Sequence, residues 1–258
     1  PPGMAGQHSY QISADAGYAI DSFENAGTPR RISLIDLATH TTIKLLEDNA
    51  VLKNRISELR LHPKEFFKVD IGDIVLDAWI IKPGGFDPQK KYPLIVHVYG
   101  EPAGSTVQDN WGTGDNLWHQ YLANELDCIV ISIDNRGTRV PRGREFRKCI
   151  YRQIGLLAAD DQAKAAKKII SMYPFIDEKR VGIWGWSGGG QMPLHCIFRH
   201  GDIYKTAIAV SFVAHQALYD NIYQERYMGL PSDNVEGYRE GSPVTHASKL
   251  KGNLLIMH

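Results

Sequence analysis

The sequence predicts an α/β fold on a mostly parallel sheet with helices on both faces. Two observations carry that prediction. From about residue 66 onward, nearly continuous apolar runs of four to six residues recur, separated by helical stretches. A strand buried on both faces has no wet side and shows no polar alternation. The second observation is the stretch 181–200, where an apolar run, a glycine-rich turn and a helical pattern follow directly on one another.

Composition narrows the field. The chain has 258 residues, 43% hydrophobic and 22% charged, as expected of a folded globular protein. Lys plus Arg equals Asp plus Glu at 29 each, so the basic excess of a nucleic-acid binder is missing. No apolar run approaches the ~18 residues of a membrane span. Cys128, Cys149 and Cys196 are too scattered for a disulfide framework or a closed zinc site, and are expected to pack as small apolar residues. The chain begins Pro1-Pro2-Gly3 and stops in the strand-like run Asn253 to His258, so a fragment cut at both ends is expected.

Residues 1–58 form the first predicted domain. Alternation and β-branching predict short strands at Ser9–Ser13, Tyr18–Phe23, Arg31–Leu37 and Thr41–Leu46. Turns fall at Asp15-Ala16-Gly17, Asn25-Ala26-Gly27 and Ala38-Thr39-His40. Four short strands fit one blade of a β-propeller, and equally a small β-meander. Residues 59–258 form the second. A hairpin is expected from Phe67–Ile71 and Val75–Ile81, around Gly72-Asp73. Buried strands follow at Leu94–Tyr99, Cys128–Ile133, Val181–Trp184, Thr206–Val210 and Leu254–Met257. Helices are expected at Leu156–Met172, with Lys164, Lys167 and Lys168 on its wet face, and at Met192–His200. The basic run Arg142–Lys148 reads as a solvated loop, and Asp160-Asp161 as acidic stabilisation of a helix N-terminus.

The chemistry centres on Gly185-Trp186-Ser187-Gly188-Gly189. A strand precedes it and a helix follows, the context a G-x-S-x-G nucleophile elbow requires; a glycine/serine loop without chemistry is the alternative. The flanking glycines permit a sharp turn, and the serine sits where backbone N–H groups can receive an oxyanion. A serine nucleophile needs a histidine base, itself oriented by an acid. The downstream histidines are His195, His200, His215, His246 and His258, and none sits as a triad histidine should. No phosphate-binding loop or H-E-x-x-H metal helix is present in the sequence.

The elbow, together with Tyr219-Asp220-Asn221-Ile222-Tyr223-Gln224-Glu225-Arg226-Tyr227-Met228-Gly229, resembles the dipeptidyl peptidase IV group of the prolyl oligopeptidase family. Val98-Tyr99-Gly100-Glu101-Pro102 and Ser132-Ile133-Asp134-Asn135-Arg136-Gly137 resemble family segments at two strand ends. The resemblance runs from about Phe66 to His258 and implies an α/β-hydrolase peptidase domain, incomplete at its C-terminus and preceded by the end of a β-propeller. It implies Ser187 as nucleophile, with the Gly188 N–H and the Tyr99 hydroxyl as the oxyanion hole. Tyr219 and Tyr223, with Trp186 and Val213, would line the pocket for the residue before the scissile bond. The flat aromatic box suits proline.

The implied activity is release of N-terminal dipeptides, preferably after Pro or Ala, from peptide substrates. The resemblance implies neither metal nor cofactor, a homodimer when full length, and a periplasmic or secreted location. The triad Asp and His are expected after His258, so this stretch alone is expected to be inactive; with the apolar strand Leu254–Met257 left as an exposed edge, it is also expected to be poorly soluble or partly unfolded. Three departures from the family pattern stand out. A large aromatic is replaced near Gln216-Ala217, Pro193 lies in the helix after the serine, and Arg139 stands where glycine is commoner. An acylaminoacyl peptidase or carboxylesterase on the same fold, or a non-catalytic binding module, is the alternative.

Overall fold

The computed structural model describes residues 3–102, 104–112 and 114–258. The chain divides into two compact units. One runs up to Lys64 and takes in Gln108–Leu122; the other comprises Glu65–Val107 and Ala123–His258.

In the first unit, β1 (Gln7–Ile12), β2 (Tyr18–Asn25), β3 (Thr28–Asp36) and β4 (Thr42–Glu47) form a four-stranded antiparallel sheet in sequential order. β2 alternates as a half-buried strand should, with Ala19, Asp21 and Phe23 on the covered face. α1 (Ala50–Ser57) buries none of its residues. The expected boundary at residue 58 falls later in the structure, and segment 108–122 belongs with the first unit. The reason is local bonding: the Asp109 carboxylate accepts from the Ala26 N–H (2.9 Å), and the Gln120 amide exchanges two 2.8 Å bonds with the backbone of His62. α2 (Gly114–Glu125) begins in this segment.

The second unit is a seven-stranded sheet. Its strands are β5 (Glu65–Asp70), β6 (Val75–Ile81), β7 (Tyr92–His97), β8 (Ile129–Asp134), β9 (Ile176–Trp186), β10 (Thr206–Val210) and β11 (Asn253–Met257). The order is β11-β10-β9-β7-β8-β6-β5. The five strands from β11 to β8 are parallel, and the hairpin β5–β6 joins antiparallel. All six residues of β8 are buried, so both faces of the sheet are covered there. α3 (Gly143–Lys148), α4 (Leu156–Met172), α5 (Gly188–Arg199), α6 (Asn221–Met228) and α7 (Val235–Glu240) complete the unit. α4 turns Ala158, Ala159, Ala163, Ala165, Ala166 and Ile169 inward and leaves Lys164, Lys167 and Lys168 exposed. These small residues allow α4 and α5 to pack closely on the same core.

Three expectations need correction. Arg142–Lys148 is not a solvated loop: residues 143–148 are helical, because Phe146 is buried and the Arg142 guanidinium caps its ring at 4.4 Å. Asp160-Asp161 does not serve the N-terminus of α4, which starts four residues earlier at Leu156. Asp161 instead takes the Arg136 side chain (2.6 Å), and Asp160 bonds His200 (3.0 Å) and Arg199 (3.2 Å). Finally, α5 begins at Gly188 rather than Met192 and runs through Pro193. Proline supplies no N–H to the carbonyl of Gly189, and that carbonyl lies against Gly185, where a Cβ would meet it at 2.2 Å.

Candidate active site

β7 and β9 are parallel neighbours, paired His97 to Trp184, so their C-terminal ends lie side by side. Tyr99 follows one end and Ser187 the other. This is the edge of an open α/β sheet where ligands bind.

The elbow is strained in the way its glycines allow. Ser187 has φ 59° and ψ −124°, a positive φ that non-glycine residues rarely adopt. Its N–H bonds the Val210 carbonyl (2.9 Å), and its carbonyl accepts from Gly190 (2.7 Å). Side chains at the surrounding glycines would collide with backbone. A Cβ at Gly185 would lie 2.4 Å from the Val98 carbonyl oxygen, and one at Gly189 would lie 2.5 Å from that same atom. Ser187 occupies the N-cap of α5 but makes no capping bond. A serine at that position ordinarily spends its hydroxyl on a helix N–H. Here the hydroxyl stays available.

Tyr99 lies close against two glycines: a Cβ at Gly104 would lie 2.7 Å from its ring, and one at Gly189 3.0 Å from its Cα. Its phenol is half-buried and has no hydrogen-bond partner among the described residues. Burial and the nearby Glu101 raise its pKa, so it remains a proton donor at neutral pH. The loop that carries it is held by Asn135, whose amide bonds the Gly100 carbonyl (3.1 Å) and accepts from Gln162 of α4 (2.9 Å).

Tyr219 precedes α6 in extended conformation, and Tyr223 lies in its first turn. Asp220 caps that turn by accepting from the Tyr223 N–H (2.8 Å). The two rings meet edge-on with centroids 5.7 Å apart, and Tyr227 continues the row at 4.9 Å from Tyr223. Val213 is half-buried in the loop after β10. Trp186 is 61% exposed and has no ring contact with the tyrosines among the described residues. The structure thus brings Tyr99, Tyr219 and Tyr223 into one neighbourhood and leaves Trp186 on the surface.

Three polar residues at this site were given no role from sequence. Glu101 is 2% exposed and packs over the elbow, where a Cβ on Gly188 would lie 2.6 Å from its Cγ. Its carboxyl group is hydrogen-bonded to the Tyr223 hydroxyl (2.7 Å) and accepts from the Gln191 amide of α5. Gln216 donates to Gln191 (2.9 Å) and to the Gly241 carbonyl (2.7 Å). Burial pushes the Glu101 pKa up to about 8, against the opposing pull of the Tyr223 hydrogen bond. The one sequence signal was Gln216 itself, a polar residue near a place where an aromatic was expected.

The histidines are engaged elsewhere. His195 is fully buried on the Gly241 carbonyl (3.0 Å), and burial lowers its pKa to about 3, so it is neutral. His200 bonds Asp160, His246 bonds the Glu240 carbonyl (2.9 Å), and His215 accepts from the Ala217 N–H (3.2 Å). The His258 ring rests on Phe212 at 5.7 Å. None of them bonds Ser187. Burial raises the Cys128 and Cys196 thiols to about 12, which leaves them inert.

Comparison with known proteins bears on the family and the fold. A profile of the prolyl oligopeptidase family matches residues 114–258. Prolyl endopeptidase FAP of Homo sapiens is 35% identical over 229 residues, 88% of this chain and 30% of that protein. An Emericella nidulans protein described as "Probable dipeptidyl peptidase 4" is 33% identical over 256 residues, 97% of this chain and 32% of its own length. The crystal structure of Porphyromonas gingivalis dipeptidyl peptidase 4 superposes with a TM-score of 0.91 at 38% identity, over 97% of this chain and 35% of that one. The chain therefore spans about a third of the length of the relatives it matches.

Proposed function

Because this chain belongs to the prolyl oligopeptidase family, we propose that it supplies the nucleophile of a serine exopeptidase that releases N-terminal dipeptides, preferably after Pro or Ala. The observation that carries this reading is Ser187: a strained residue at the mouth of α5 whose hydroxyl does not cap the helix. The phenol of Tyr99 on the neighbouring strand end, which has no hydrogen-bond partner among the described residues, supports it.

In the proposed reaction the Ser187 Oγ attacks the carbonyl carbon of the scissile peptide bond and gives its proton to a base. The carbonyl oxygen becomes an oxyanion and accepts hydrogen bonds from the Gly188 N–H and the Tyr99 hydroxyl. Collapse breaks the C–N bond, the amine leaves with a proton, and the dipeptide stays as an ester on Ser187. Water then hydrolyses that ester. The ring pair Tyr219 and Tyr223 would receive the residue before the scissile bond, where a compact, rigid proline fits between flat aromatic faces. The base is assigned to none of the described histidines. The sequential antiparallel sheet β1–β4 supports reading residues 1–58 as propeller strands.

The test is turnover by the complete gene product of Gly-Pro-p-nitroanilide against p-nitrophenyl butyrate. We expect the prolyl anilide to be preferred, and Ser187→Ala to lower kcat by about 10³-fold or more. Preference for the ester would favour a carboxylesterase. Loss of neither activity in Ser187→Ala would remove Ser187 from the mechanism.

A further inference from the structure

Glu101 links three parts of the site. It sits two residues after Tyr99, its Cγ fills the space over Gly188, and its carboxyl group holds the Tyr223 hydroxyl at 2.7 Å. Gln191 fixes the other carboxylate oxygen, and Gln216 fixes Gln191. The Gln216 amide is anchored in turn on Gly241, and its backbone N–H on the Ser242 hydroxyl (2.9 Å). Every residue of this network is buried except Tyr223, which is half-buried. A buried network of this kind sets geometry, since each polar group has few alternative partners.

We infer that Glu101 is a positioning residue that acts through Tyr223: it fixes the ring that walls the pocket for the residue before the scissile bond, and Gly188 is small so that Glu101 can reach it. The inference rests on the peptidase reading. Without the carboxyl, the Tyr223 phenol has no hydrogen-bond partner below it and the ring is free to turn about χ1 and χ2. The pocket then loses a wall while the Ser187 Oγ, the Gly188 N–H and the Tyr99 hydroxyl stay where they are. Substrate binding suffers and the bond-making step does not.

The experiment compares two readouts in the complete gene product. One is kcat and KM for Gly-Pro-p-nitroanilide. The other is the rate at which an ethyl fluorophosphonate, which has no ring to fill the pocket, labels Ser187. Glu101→Ala is expected to raise KM about tenfold or more, the loss of one well-placed buried hydrogen bond, with labelling within about threefold of the parent. Glu101→Gln should recover a parent-like KM, since its amide oxygen can accept from Gln191 and its NH₂ can donate to the Tyr223 oxygen. Tyr223→Phe should match Glu101→Ala, and the double variant should be no worse than either. If Glu101→Ala does not fold, Tyr223→Phe and Glu101→Gln carry the comparison. An unchanged KM, effects that multiply in the double variant, or labelling that falls in step with turnover would each overturn the proposal. A parent that labels yet cleaves only esters overturns the peptidase reading instead. Glu101 is then judged by the same KM-against-labelling split with p-nitrophenyl butyrate.

Discussion

At the scale of single residues, Glu101 holds its proton because burial removes the water that would solvate its anion. The native carboxyl releases its proton only near pH 8, whereas the unfolded chain releases it near the ordinary value of 4.5. The native state therefore binds more protons between those values, so stability falls as pH rises. The contribution is fully present below the unfolded value and is lost as pH climbs through about 8. Urea midpoints at pH 5, 6, 7 and 8 should show the parent losing stability relative to Glu101→Gln across that range. A parent-to-variant difference that stays flat would mean that Glu101 is ionised in the folded protein throughout.

At the scale of elements, α4 is tied to the end of β8 by one ion pair. Asp161 has no exposed side-chain surface, and it accepts from the Arg136 backbone N–H (3.0 Å), Nε (3.0 Å) and Nη2 (2.6 Å). The Arg136 side chain keeps 18% exposure and also reaches Asp73 at 2.9 Å. Two effects compete here. Burying the pair costs desolvation, but removing one partner leaves the other without its main counter-charge. The second effect dominates when a partner is deleted. Asp161→Ala is expected to destabilise by about 3–5 kcal/mol, read from the urea midpoint with an unchanged slope. A midpoint equal to the parent's would show that Asp73 alone suffices.

At the scale of the whole molecule, the large sheet ends on β11. Among the described residues that strand pairs only with β10, and Leu255, Ile256 and Met257 are each about half exposed at 51%, 52% and 51%. An unpaired apolar strand edge is a template for another chain. The isolated 258-residue chain is expected to self-associate through β11, and Ile256→Lys to raise its monomer fraction. Size-exclusion chromatography with light scattering measures both. A monodisperse parent would count against exposure of this edge in solution.

The buried strands, the long helix from Leu156 to Met172 and the elbow at Ser187 were legible in the sequence. Each is encoded by a local period or by a short motif whose glycines serve one geometry. Other features were not. Helix α3 depends on Phe146 finding a core, and the start of α5 depends on backbone that follows Ser187 directly. The assignment of segment 108–122 depends on bonds to His62 and Ala26, far away in sequence. Glu101 is the sharpest case. A glutamate after a strand looks like any solvated acid, and only packing places Gly188 beneath it and Tyr223 within reach. The sequence by itself determined the order of the buried strands and the glycine-bounded turn at Ser187, because both are properties of neighbouring residues. The tertiary structure decided which side chains share a proton or a wall, because burial and contact between segments about a hundred residues apart have no local signature.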